Sequence, residues 1–176
     1  MIIDDSKKIK VYLDTSVVSY LDQQDAPEKM EETKEVWERI KQGQYDVVIS
    51  TLVLDELQKC QQPKRSLLMD KVKEIDCTIL SVEEDTVRLA EKFIDFGVLK
   101  KRSFEDCQHI AAAILSGCDI IVSWNFKHIV NVKTIRGVKV VTTLEGYKDI
   151  LIYPPSALLD EELPENEESD DDDGKQ

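Results

Sequence analysis

Four residues in this chain have the types and placements from which hydrolytic chemistry could be built: the acids Asp14, Glu56 and Asp106, and the amide Asn125. Three carboxylates brought together repel one another, which raises their pKa values unless a cation compensates. A hard divalent ion such as Mg2+ or Mn2+ suits such oxygens, held by one or two carboxylates and several waters. An ion of that kind can polarise a phosphodiester and generate a hydroxide nucleophile. Whole secondary-structure elements separate the acids, so spacing alone leaves their meeting open. Plainer roles are available to each. Asp106 follows Ser103 at the capping-box distance, and Asp14 or Ser16 could cap a helix. Glu56 could face water, as its neighbour Asp55 could, and Glu105 offers the same chemistry as Asp106. His109 lies on the same helical side as Asp106 and suits either a substrate phosphate or a structural hydrogen bond. His128 suits a general acid, a phosphate contact or a cap. The two histidines lack zinc-ligand spacing.

The elements that must position these residues can be read in order. Lys10-Val-Tyr-Leu-Asp14 is a short strand ending at an acid, and a helical stretch follows at Thr15 to Leu21. Asp25-Ala-Pro-Glu28 opens a helix with Asp25 as N-cap, and Gly43 stops it. Tyr45 to Ser50 is a second strand, with Thr51 capping the helix that carries Glu56. Arg65 to Lys73 is a further helix, Cys77 to Leu80 a third strand, and Val82 to Phe96 a helix stopped by Gly97. Ser103 to Gly117 forms the helix of Asp106, and Asp119 to Ser123 a fourth strand just before Asn125. Phe126 to Val130 reads as one helical turn, Val138 to Val141 as a fifth strand, and Leu144 to Asp149 as a last short helix. Strands alternating with helices imply an α/β sandwich around a mostly parallel sheet of about five strands. In such sheets ligands bind beyond the carboxyl ends of the strands. That rule gathers Asp14, Glu56 and Asn125 at one edge. Asp106 joins them if its helix begins there.

At 176 residues the chain suits one folded domain, read as residues 1–153, followed by an acidic tail at 154–176. The formal charge is −13, but ten acids against Lys175 place −9 of it from Asp160 onward. The body is therefore only mildly acidic, and the total does not exclude a nucleic-acid partner. Lys100, Lys101 and Arg102 precede the Asp106 helix and Lys127 follows Asn125, a local basic set able to neutralise phosphates. The tail lacks the apolar content to repay ordering and could compete with RNA for that set. The four cysteines form no C-x-x-C pair, so a zinc site or disulfide framework is not indicated. With no apolar signal core and no membrane-length apolar run, the expectation is a soluble cytoplasmic protein. No Gly-rich phosphate loop is present, which argues against a nucleotide-cofactor enzyme.

Four stretches in order resemble PIN-domain ribonucleases, particularly VapC-type toxins of toxin–antitoxin pairs. They are Val-Tyr-Leu-Asp14-Thr-Ser16, Ser50-Thr-Leu-Val-Leu-Asp-Glu56-Leu, Asp106-Cys-Gln-His-Ile-Ala-Ala-Ala, and Ile-Val-Ser-Trp-Asn125-Phe-Lys-His128. The resemblance implies a three-layer α/β/α domain with a Mg2+ or Mn2+ site formed by Asp14, Glu56 and Asp106, and Ser16 supporting the first acid. It implies an endoribonuclease using a metal-activated water, commonly a homodimer, restrained by a cognate antitoxin. Many family members carry a fourth acid where this chain has Asn125, one negative charge fewer. That difference keeps open a catalytically inactive PIN-fold module that binds RNA or protein. A phosphatase of the haloacid-dehalogenase type would begin D-x-D, whereas this chain has Asp14-Thr-Ser16.

Overall fold

A computed structural model describes residues 7–159. Five strands, β1 (Ile9–Leu13), β2 (Tyr45–Ser50), β3 (Thr78–Leu80), β4 (Ile120–Val122) and β5 (Leu151–Tyr153), form one sheet in the order β3-β2-β1-β4-β5. Every pairing is parallel, with Val11 opposite both Val47 and Ile120, and Ile121 opposite Ile152. Parallel pairing requires a crossover between neighbours, and the helices supply it. They are α1 (Thr15–Ser19), α2 (Pro27–Lys41), α3 (Thr51–Gln58), α4 (Lys64–Lys73), α5 (Glu84–Asp95), α6 (Phe104–Leu115) and α7 (Val132–Glu145).

Alternation along the strands divides the core in two. Val11, Leu13, Val47, Ile49, Ile120 and Val122 pack with α1 to α4 on one face. Tyr12, Val48, Ile121 and Ile152 pack with α5 to α7 on the other. The architecture is therefore the expected three-layer α/β/α sandwich, with every sheet pairing parallel. No described helix is long and apolar enough to cross a membrane.

Most element boundaries agree with the pattern of residues, including the left-handed glycines Gly43, Gly97 and Gly117 that end α2, α5 and α6. Two caps shift by one residue. Ala26, not Asp25, is the N-cap of α2, and Ser50, not Thr51, precedes α3. The Thr51 hydroxyl instead accepts a hydrogen bond from the Val82 amide at 3.2 Å. The larger correction is at the C-terminal third. Val138 to Val141 lies inside α7, and the fifth strand is Leu151–Tyr153. Residues 146–149, expected to close a last short helix, connect the two.

The β-branched run of α7 looks extended, but its buried residues Thr134, Val138, Val141 and Thr142 recur at helical spacing. Asn131 accepts from the Thr134 amide at 2.9 Å, and Gly146 terminates the helix in the left-handed region. Beyond β5 the chain keeps packing. Pro155 and Leu158 are buried, and Arg39 donates to the Leu158 carbonyl at 2.9 Å. The acidic run from Asp160 lies outside the described residues.

Gly137 allows α7 to approach the loop after α5: a Cβ there would stand 2.8 Å from both methyl carbons of Val98. Gly137→Ala is therefore expected to lose about 1–3 kcal/mol to overpacking, more than the helix propensity it gains. Urea unfolding measures the balance. Greater stability of the alanine variant would mean that Val98 yields easily.

Candidate active site

The strand order places β2 on one side of β1 and β4 on the other, so the chain runs from β1 to one edge of the sheet and, after crossing back, from β4 to the other edge. Such a switch point opens a crevice beyond the strand ends. Asp14 directly follows β1 and its amide donates to the Val122 carbonyl of β4 at 3.3 Å. Its side chain is almost wholly buried, 4 % exposed. One carboxylate oxygen accepts from the Ser16 amide at 3.1 Å and from the Ser16 hydroxyl, and the other accepts from the Ser123 hydroxyl at 2.7 Å. Those hydroxyls in turn accept from the next strand's exit: Ser16 Oγ from the Trp124 amide, and Ser123 Oγ from the Asn125 amide, both at 2.9 Å. Burial pushes the Asp14 carboxyl above the usual range, against His109 and the two serine donors.

Glu56 points inward from α3, whereas Asp55 beside it is exposed. Its Oε1 lies 2.8 Å from Nε2 of His109, and the other ring nitrogen of His109 lies 2.8 Å from the Tyr12 hydroxyl. Tyr12 is 2.7 Å from the Ser50 hydroxyl, so a chain of four polar groups runs through the core. Burial pulls His109 down, but the Glu56 hydrogen bond and the charges of Asp14, Glu56 and Asp106 outweigh it and raise its pKa. Burial likewise pushes Glu56 up, and the bond and charge of His109 carry it below the ordinary range. Both directions follow from the short contact between the imidazole and the carboxylate, each favouring the charged form of the other.

Asp106 occupies the first turn of α6, whose N-terminus reaches the same edge. It does not fold back onto the helix start: Ser103 is the N-cap without a side-chain bond. One Asp106 oxygen accepts from the Asn125 amide group at 3.2 Å, and the other is 2.9 Å from Nδ1 of His128. Asn125 Oδ1 accepts from the His128 backbone amide at 2.9 Å, which fixes the orientation of the Asn125 side chain. Burial lifts the Asp106 carboxyl, opposed by His128 and His109. Glu56 raises Asp14 and Asp106 while His109 lowers both, so Glu56 and His109 act on both of the other acids. Glu105 is exposed and 4.0 Å from Lys59, apart from this group.

Three carboxylates and an amide oxygen are the donor chemistry of a hard divalent cation. Their present arrangement does not surround a single point: among the described residues no group of three or more acids, histidines or cysteines could hold a metal ion. Hydroxyls satisfy Asp14, His109 satisfies Glu56, and Asn125 with His128 satisfies Asp106. The donor types therefore fit such an ion, which would have to draw carboxylate oxygens from these partners.

The basic residues divide. Lys100, Arg102 and Lys127 line one pocket of about 210 Å3 together with His128 and Lys133. Lys101 turns instead to a cavity with Glu91, Asp95 and Phe104. Ser123, Tyr12 and Lys133 were not foreseen from the residues. Ser123 had a visible signal, a hydroxyl ending a buried strand next to Asn125. Nothing in the local pattern marks Tyr12, whose partner Ser50 and neighbour His109 arrive from distant elements.

The fold and this edge define an all-parallel α/β/α protein with an acidic centre at its switch point. Residues 11–128 match the family model for the PIN domain, and the chain belongs to that family. Among solved structures, the VapBC2 complex of Rickettsia felis, bound to a DNA fragment from its promoter, contains a similar chain. It has a TM-score of 0.50 and 13 % identity, covering 83 % of this chain and 98 % of that one. VapC20 of Mycobacterium tuberculosis, a toxin that cleaves the sarcin-ricin loop, matches at TM-score 0.45 and 18 % identity over 63 % of this chain and 86 % of its own. None of the curated proteins compared matches the chain significantly.

Truncating His109 leaves Glu56 and the Tyr12 hydroxyl without their partner. His109→Ala is expected to cost about 3–5 kcal/mol in urea unfolding. The raised His109 pKa adds stability that is full below its ordinary 6.5 and is lost as pH rises through the higher folded value. The lowered Glu56 pKa acts oppositely, its contribution present above 4.5 and lost on acidification. Raised Asp14 and Asp106 contribute fully below their ordinary 3.8 and lose that contribution as pH rises through their higher folded values. In chelator the urea midpoint should therefore fall as pH rises above about 6.5, less steeply in His109→Ala. A flat wild-type profile would show that folding leaves the proton affinity of His109 unchanged.

Proposed function

We propose that this protein is a divalent-metal-dependent endoribonuclease, the toxin of a toxin–antitoxin pair. The observation that carries the reading is the electrostatic coupling of Glu56 to both Asp14 and Asp106 at one end of a PIN-family sheet, beside a pocket lined with cations. Asp14, Glu56 and Asp106 are the residues to hold Mg2+ or Mn2+, which when bound would supply charge neutralisation and activation of water at a phosphodiester. Ser16 and Ser123 keep the Asp14 carboxylate in one orientation, which limits the reorganisation needed on binding. His109 holds Glu56 from behind. Asn125 and His128 hold Asp106, and His128 stands between it and the basic pocket. Lys100, Arg102 and Lys127 neutralise RNA phosphates along that side, whereas Lys101, expected with them from the sequence, faces the other cavity. By its resemblance to VapC toxins, the chain works in the cytoplasm as a homodimer and is restrained by a cognate antitoxin.

One observation favours a second reading, a PIN-fold binding module without catalysis. Every carboxylate already has protein partners, and Asn125 adds no negative charge. Calorimetric titration with Mn2+ separates the two. A nuclease takes up the ion and loses that uptake in Asp14→Asn, whereas a binding module shows none in either form.

Cleavage of single-stranded RNA in Mg2+ or Mn2+ tests the leading reading. Asp106→Asn is expected to reduce the rate by at least about a hundredfold, beyond the effect of removing a supporting partner. Equal rates in the two proteins would overturn the assignment.

A further inference from the structure

Four cations, Lys100, Arg102, Lys127 and Lys133, share the pocket of about 210 Å3 next to His128. They come from three separate pieces of chain: the approach to α6, the loop after β4, and the first turn of α7. None of their side chains has an ion-pair or hydrogen-bond partner among the described residues, and no described acid lines the pocket. In a chain of net charge −13 that grouping is costly without a counter-charge, because like charges repel and the body offers many carboxylates it does not use here. Elsewhere the surface cations are commonly paired, as in Lys34–Glu31, Lys41–Glu38, Lys71–Glu74 and Lys139–Asp149. The amino end of α7 opens on the same pocket and adds the positive end of a fourteen-residue helix. His128 forms the wall shared with the candidate active site, since its Nδ1 contacts Asp106 at 2.9 Å.

We propose that this pocket is a phosphate subsite that seats a non-scissile phosphate of single-stranded RNA while the neighbouring backbone lies over Asp106. The inference rests on the nuclease reading for its substrate class, but its geometry is independent of catalysis. It assigns Lys133 to substrate binding and removes Lys101, which faces Glu91 and Asp95 in another cavity. The seat fixes the strand relative to the acids, so it acts on binding and on the position of cleavage, not on the chemical step.

The test is fluorescence anisotropy of a labelled, unstructured RNA oligonucleotide with the full chain in chelator, across a salt series. Lys133→Glu and Arg102→Glu should each weaken binding on the order of tenfold and flatten the salt dependence by up to about one phosphate contact. Lys101→Glu should stay within about twofold of wild type. All three positions are exposed, and circular dichroism confirms folding of each variant. Unchanged affinity in Lys133→Glu, or an equal loss in Lys101→Glu, would overturn the subsite in favour of a diffuse basic surface. RNA binding that falls in Lys133→Glu without any cleavage by wild type in Mg2+ or Mn2+ would leave the subsite standing and remove the nuclease reading. Absence of RNA binding by wild type at low salt would remove both.

Discussion

A carboxylate buried between two parallel strands must be supplied with donors, and Asp14 takes them from Ser16 and Ser123. Because those hydroxyls then accept from the amides of Trp124 and Asn125, the exit of β4 is tied to the exit of β1 through one side chain. An isolated buried carboxylate would be expensive, and each donor offsets part of that cost. The consequence reaches beyond Asp14. With the β4 exit held, Asn125 is aimed at Asp106 and its carbonyl oxygen orders the turn that carries His128. The position of the third acid's partners thus follows from the hydrogen bonding of the first.

The second constraint is the charge balance behind the crevice. Three acids in one another's fields would each resist ionisation, and the structure places a buried histidine among them. His109 faces Glu56 with one nitrogen and Tyr12 with the other, so its proton is shared with the acids on one side and anchored to the core on the other. Tyr12, its hydroxyl enclosed, has its own ionisation pushed far upward by burial and serves as a neutral link to Ser50. Cys107, one turn from this group, is held as a thiol by burial, with its pKa pushed up to about 12. Cys107 thus adds no negative charge to the acids, and His109 is the neighbouring group that can oppose theirs.

Crevice and pocket differ in how they treat charge. In the crevice every acid has an internal partner, whereas in the pocket beside it four cations have none among the described residues. A polyanion laid across both would meet uncompensated positive charge first and the acids only with an added cation. That order suits a substrate drawn in by its backbone.

Much of this was legible in the residues. Short apolar runs ending in Asp14, Ser50 and Ser123, alternating with helices stopped by Gly43, Gly97 and Gly117, pointed to a mostly parallel α/β/α fold and to the edge at which its polar residues collect. The motif around Asp106 selected it over Glu105, and the one around Glu56 selected it over Asp55; the selected acids are half-buried and their neighbours exposed. Local pattern failed where packing overrode propensity. The β-branched run of Val138 to Val141 became helix because Val138 and Val141 lie on one helical face against α5 and the sheet, and Gly137 lets that face come close. The three residues of β5 carried too short an alternation to announce an edge strand. Only tertiary structure decided that Asp106 faces Asn125 and His128 instead of its own helix start, that His109 serves Glu56, and that Lys133 joins Lys100 while Lys101 leaves it. Those outcomes depend on which distant elements share an edge of the sheet, and sequence spacing contains no measure of that distance.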